Sequence, residues 1–134
     1  MEGLPAEELE VIYGISQSRQ FSAGTVLFHE GDPSNYFLVI LDGELEIIKN
    51  FGTEEELRLG VLASGEYLGE MSLFLRDQQR SASVRALTDT QVVEIPRKDF
   101  EALLQRQPEL AFHMMQEMSL RMRNQDRLTV QDLH

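Results

Sequence analysis

The segment from Gly24 to Asn50, GTVLFHEGDPSNYFLVILDGELEIIKN, sets the tightest limit on what this chain can fold into. Its apolar runs are only a few residues long, and Gly24, GDPSN and DG interrupt them. Short runs separated by glycine and by Asp, Asn, Pro and Ser read as strands joined by tight turns, not as helices. In GELEIIK, Leu45 and Ile47 alternate with Glu44 and Glu46; in ELRLGVL, Leu57, Leu59 and Val61 alternate with Arg58 and Gly60. Period two puts alternate side chains on one face, so the apolar set is expected inward and both glutamates outward in water. NFGTEEE reads as the polar hairpin loop between them, and SVRAL and TQVVEIP continue the strands as far as Pro96.

Helical patterns flank this region. LPAEELEVIYGI has Pro5 at a first helical position and acids in the first turn, with Leu9, Ile12 and Tyr13 on one face. After Pro96, RKDFEALLQ places Phe100, Leu103 and Leu104 on one helical face. Pro108 starts a further helix in which Leu110, Met114 and Met118 recur every four residues. One short helix, a block of strands and two helices are segregated along the chain, which favours an α+β domain with an antiparallel sheet. The close turn spacing favours a rolled sheet, a jelly-roll-like barrel. One domain over 1–134 is expected, with the β-roll at about 20–96 and the C-terminal helices at about 97–130.

Charge and composition exclude several function classes. With 23 acidic and 12 basic side chains the formal charge is −11, a field that repels phosphate backbones. Direct nucleic-acid binding by this domain is not expected, and no helix-turn-helix pattern follows the last helix. The absence of cysteine removes disulfides and thiolate metal sites. His29, His113 and His134 form no close pair on a strand, so no metal is expected. His29 reads as a partly buried strand residue and His134 as a chain end. No nucleophile motif is present, and an enzyme is not expected. No apolar run is long enough to span a bilayer, which fits a soluble cytoplasmic domain without membrane contact.

The stretch GEYLGEMSLFLRDQQRSASVRAL holds one acid, Glu70, directly after Gly69, and one base, Arg80, directly before Ser81 and Ala82. A strand ending at Leu68 and Gly69 leads into EMSLF, which can form a single helical turn. Gly69 permits close approach of the backbone, and free N–H groups near Met71 and Ser72 would suit an anion. Arg80 offers a planar fork for two phosphate oxygens, and Glu70 an acceptor for sugar hydroxyls. Two readings of these residues stand side by side: a sugar-phosphate site, or an ordinary Glu70–Arg80 ion pair at a sheet margin, worth about 0–1 kcal/mol.

GEMSLFLRDQQRSASVRA resembles the phosphate-binding cassette of cyclic nucleotide-binding domains, and FSAGTVLFHEGDPSNYFLVILDGELEIIK resembles the same family upstream. The likeness runs from about Phe21 to Leu128 and is greatest to the sensor half of bacterial catabolite activator-type regulators. It implies that Glu70 takes the ribose 2′-hydroxyl and Arg80 the cyclic phosphate. Gly69, Ser81 and the backbone around Met71, Ser72 and Ala82 would assist, with Ile47 and Leu59 lining the pocket. Arg121, Met122, Gln125 and Asp126 match positions that approach the purine. Catabolite activators have hydroxyl residues where Gln125 and Asp126 stand, so base selectivity is open; cAMP is favoured over cGMP on overall likeness. The function implied is a cyclic nucleotide sensor that has no other cofactor and signals through its C-terminal helix to an effector beyond it. The methionine-rich last helix also suits a homodimer contact. The competing expectation is a docking or dimerisation module that keeps the roll without using nucleotide.

Overall fold

Eight strands form two four-stranded antiparallel sheets in the structure, a computed structural model that describes residues 6–69, 72, 75–113 and 116 (of Leu9, the backbone only). Helix α1 (Ala6–Gly14) precedes β1 (Gln17–Phe21), β2 (Val26–Phe28), β3 (Tyr36–Asp42) and β4 (Glu44–Lys49). Then come β5 (Leu57–Ala63), β6 (Tyr67–Leu68), β7 (Ser83–Ala86), β8 (Thr90–Pro96) and α2 (Arg97–Arg106). One sheet runs β1-β8-β3-β6 and the other β2-β7-β4-β5. Consecutive strands therefore cross repeatedly between sheets, which is the rolled arrangement the turn spacing predicts. The sheets begin at Gln17, three residues before the expected boundary, and Pro96 closes β8 opposite Tyr36.

The turn that reverses β3 into β4 explains why Gly43 stands there. Its φ is +101°, and a Cβ would lie 2.5 Å from Thr90 Oγ1 and 2.7 Å from the Asp89 carbonyl. Only glycine meets both demands. Gly24 and Gly31 likewise occupy turns at φ +91°.

Leu38, Ile40, Leu68 and Val92 from one sheet meet Leu45, Ile47, Leu62 and Val84 from the other in a continuous buried core. The opposite face of the first sheet is covered too: Phe37, Tyr67 and Ile95 pack beneath Ile12, Phe100, Leu103, Leu110 and Ala111 of the helical segments. The result is three layers, helices on sheet on sheet. Residues 108–113 are helical, as Pro108 suggested; the remainder of the expected 97–130 helical region, including Met114 and Met118, lies outside the described residues. Among the described residues no helix is long and apolar enough to cross a membrane, and no cluster of His, Asp and Glu could hold a metal ion.

Several expectations from alternation are corrected. Glu46 is not solvated: it is 7% exposed and sits between Arg85, at 2.9 Å, and Arg58, at 3.5 Å. Leu45 pairs with Leu62 and Ile47 with Gly60, after which the register shifts to Ile48 opposite Arg58. This bulge breaks the parity of β5. Leu62 is the buried residue, Val61 lies opposite Glu46 on the outer face, and Leu57 is exposed. Leu59 still packs against the core. On the helices, Tyr13 is 57% and Leu104 43% exposed, while Val11 and Ile15 fill the space assigned to Tyr13. His29 falls just after β2 and is exposed, with its ring 6.4 Å from that of Phe51.

Candidate functional site

Arg80 is fixed first through its backbone. Its N–H donates to the Asp32 carbonyl and its own carbonyl accepts from the Gly31 N–H, both at 2.8 Å. The Ser34 N–H donates to the Gln78 carbonyl, also at 2.8 Å, and Pro33 bridges Gln79. The GDPSN turn therefore serves as a template along which the segment 78–80 is laid. Asp32 Oδ2 accepts from the His29 N–H at 2.9 Å and holds that turn in shape.

The side chain of Arg80 then enters the roll and is 4% exposed. Its guanidinium carbon lies 4.1 Å from the centroid of the Phe28 ring and 4.6 Å from that of Tyr36. Nη2 donates to the Tyr36 carbonyl at 3.2 Å, whereas Nε and Nη1 are buried and have no hydrogen-bond partner among the described residues. Burial lowers the arginine pKa, opposed by Tyr36 and by the charges of Glu94 and Asp32. Those two carboxylates are engaged elsewhere, Glu94 with Arg19 at 3.4 Å and Asp32 with the His29 amide. A guanidinium stays charged even here. Cation–π contact offsets part of the lost hydration, about 2 kcal/mol for a desolvated pair. Two donor nitrogens without acceptors remain costly, about 1–3 kcal/mol for a buried unsatisfied group. An anion placed beside the guanidinium would supply the acceptors these donors lack.

Gly69, at the end of β6 with φ +80°, borders the guanidinium. A Cβ there would stand 2.5 Å from Nη1 and 3.0 Å from the Tyr36 carbonyl. The glycine was expected to admit a ligand; what it visibly admits is the arginine. Arg80, Ser81, Ala82, Ile47, Phe28, Leu68 and Val84 line a cavity of about 10 Å³, room for about one water. Leu59, expected on this lining, packs half-buried against the core behind it. Lys49 Nζ donates to the Ser81 carbonyl at 2.7 Å and pairs with Glu30 at 3.1 Å, bringing a second cation beside the cassette.

Ser72 corrects one expectation. Its N–H is not free for an anion but donates to the Gly69 carbonyl at 2.9 Å. Its hydroxyl is buried against that of Ser34 in a short hydrogen bond, which ties Ser72 to the GDPSN loop. Glu70, Met71, Arg121, Met122, Gln125 and Asp126 lie outside the described residues. Gly69, Arg80, Ser81, Ala82 and Ile47, grouped by the sequence reading, lie around this guanidinium and its cavity, whereas Phe28 and Tyr36 were not in that group. The available signal was their position, one aromatic on each side of the HEGDPSN turn.

Two antiparallel sheets rolled around a buried arginine define a class of fold. The comparisons with known proteins give the class its family. The sequence model of the cyclic nucleotide-binding domain matches residues 18–107. The Cyclic AMP receptor protein of Thermus thermophilus is 32% identical over 124 residues, 92% of this chain and 57% of that protein. The crystal structure of the Thermus thermophilus Catabolite Activator Protein superposes with a TM-score of 0.74 at 31% identity, covering 92% of this chain and 58% of that one. A structure from work on a cyclic-GMP-dependent signalling pathway in bacterial phytopathogenesis gives 0.71 at 29% identity, covering 90% and 95%. This chain belongs to the cyclic nucleotide-binding domain family. It spans a little over half the length of the Thermus receptor.

Proposed function

We propose that this domain senses cyclic AMP and relays its occupancy through the C-terminal helices to an attached effector. The observation that carries the reading is Arg80, buried between two rings with Nε and Nη1 unfilled. A cyclic phosphate brings the acceptors those donors lack, and each charge-assisted bond contributes about 1.5–3 kcal/mol net. Glu70, next in sequence to the glycine that borders the guanidinium, is assigned the ribose 2′-hydroxyl. Ser81, Ala82 and the amide of Met71 are assigned the sugar-phosphate rim, and Arg121, Met122, Gln125 and Asp126 the purine.

The relay needs a difference in affinity between two arrangements of the helices. Moving an equilibrium from 1:99 to 99:1 takes about 5.5 kcal/mol, within reach of a filled arginine and a buried base together. Helix α2 and residues 108–113 already rest on the face of the sheet opposite the cavity. A change in the roll therefore has a packed route to the chain that follows, where a homodimer contact through the last helix is also assigned. The Thermus relative is a receptor for cyclic AMP by name, and the domain covers just over half of it. An effector that contacts DNA is accordingly a proposed partner, attached to a module whose own charge of −11 makes its surface unsuited to that contact.

Cyclic GMP is the second reading, favoured by the likeness to a structure from a cyclic-GMP-dependent pathway. Titration calorimetry with both nucleotides tests the proposal. Micromolar binding of cAMP, weaker binding of cGMP and loss of both in Arg80→Ala are expected. An undiminished affinity in Arg80→Ala would remove the assigned site, and binding of neither nucleotide would leave the docking-module alternative.

A further inference from the structure

We infer that Phe28 and Tyr36 are positioning residues that hold the Arg80 guanidinium inside the roll in readiness for its anion. The inference rests on the reading of Arg80 as the phosphate ligand. A buried arginine with neither counter-ion nor full hydrogen bonding would ordinarily swing toward water, since the side chain is long and its head strongly prefers hydration. Arg80 stays in, and among the described residues only the Tyr36 carbonyl accepts from its side chain. The two rings lie 4.1 and 4.6 Å from its guanidinium carbon and supply the remaining attraction through their negative faces.

The rings come from different sheets. Phe28 ends β2 in one, and Tyr36 begins β3 in the other. The turn between them, Gly31 to Ser34, is the same one that fixes the Arg80 backbone. One short segment thus holds the arginine at both ends: its main chain through Gly31 and Asp32, its head through Phe28 and Tyr36. Gly69 borders Nη1, where a Cβ would stand 2.5 Å away. Held this way, the donors lose little further freedom when the anion arrives, and pre-organisation appears as affinity.

The test follows the arginine directly and the ligand separately. In 15N-labelled protein without nucleotide, one slowly exchanging arginine Nε–H resonance is expected, absent in Arg80→Lys. Tyr36→Phe should keep it slow, whereas Phe28→Leu and Tyr36→Leu should bring it into fast exchange with water. Both leucine variants keep the backbone carbonyl of residue 36, so the ring alone is removed. Calorimetry with cAMP should give affinity within about twofold of wild type for Tyr36→Phe and roughly tenfold weaker for each leucine variant. On an Arg80→Lys background the leucine substitutions should cost nothing more, which a purely structural role would not produce. Should Phe28→Leu fail to fold, Tyr36→Leu and its pairing with Arg80→Lys carry the test. Slow exchange that survives in the folded leucine variants, or losses that add to that of Arg80→Lys, would overturn the clamp and leave nucleotide binding standing. The expected exchange pattern in a domain that binds neither cAMP nor cGMP would support the clamp and overturn the nucleotide reading.

Discussion

Gly69 and Arg80 meet so closely that a methyl group on the glycine would stand 2.5 Å from Nη1 of the arginine. With φ at +80°, Gly69 also occupies a conformation that costs other residues about 1–2 kcal/mol. Gly69→Ala is expected to lower the unfolding free energy by at least that amount, read as a fall in the urea midpoint, and to weaken cyclic nucleotide binding by displacing the guanidinium. A variant with wild-type midpoint and wild-type affinity would show that the contact is dispensable.

Arg80→Met separates stability from function. Methionine has similar volume, packs well against Phe28 and Tyr36, and carries no donors to leave unfilled. Replacing buried charge by an apolar side chain of like size is often neutral or stabilising. The unliganded variant is expected to melt at or above the wild-type temperature and to show no shift with cAMP. In wild type, ligand at 100 times its dissociation constant adds about 2.7 kcal/mol. Differential scanning fluorimetry with and without nucleotide reads both effects.

Glu46 is a second buried charge, but one that is paired. The side chains of Arg85 and Arg58 are 35% and 53% exposed, so solvent screens much of the attraction. Glu46→Gln is expected to cost about 1 kcal/mol or less. Glu46→Ala, which also strips the Arg85 hydrogen bond, is expected to cost about 1–3 kcal/mol. Urea unfolding should give a lower midpoint with unchanged slope in both; equal losses in the two variants would argue that the charge, not the bonding, matters.

Glu94 gives the fold a pH dependence of defined sign. Burial pushes its carboxyl above the usual range, and Arg19 and Arg80 draw it back only in part. The folded form therefore keeps a proton at a pH where the unfolded chain has lost it. Its contribution is fully present below the ordinary carboxylate pKa and declines as pH rises through the raised value. Glu94→Gln should match wild type in acid and gain on it above the carboxylate range, as followed by melting temperature against pH. A variant that loses ground as pH rises would reverse the assignment.

The turn glycines and short runs made the roll legible because each is a local signal: Gly43 takes a φ of +101° in a turn set by its sequence neighbours. Gly69 and Arg80 were each legible as candidates because the cassette is contiguous, but their direct contact was not, the glycine having been read as room for a ligand. The buried state of Glu46 was not, since its cover comes from Arg58 on β5 and Arg85 on β7. The faces of Leu57 and Val61 were misread because one bulge opposite Ile47 and Ile48 shifts the register of β5. Phe28 and Tyr36 escaped notice for a similar reason: they end and begin strands in different sheets, and only the closed roll brings both rings onto one guanidinium.

Nε and Nη1 of Arg80 are buried beside a cavity of only about 10 Å³, too small for a nucleotide until the walls around it part. Capture must then wait on a spontaneous breathing motion. The observed on-rate should level off at high nucleotide concentration, and the apparent dissociation constant should exceed the intrinsic one by the inverse of the parted fraction. Substitutions far from the ligand that ease this motion would sharpen the response, so the sensitivity of the sensor is written as much into the looseness of its roll as into the groups that touch the signal.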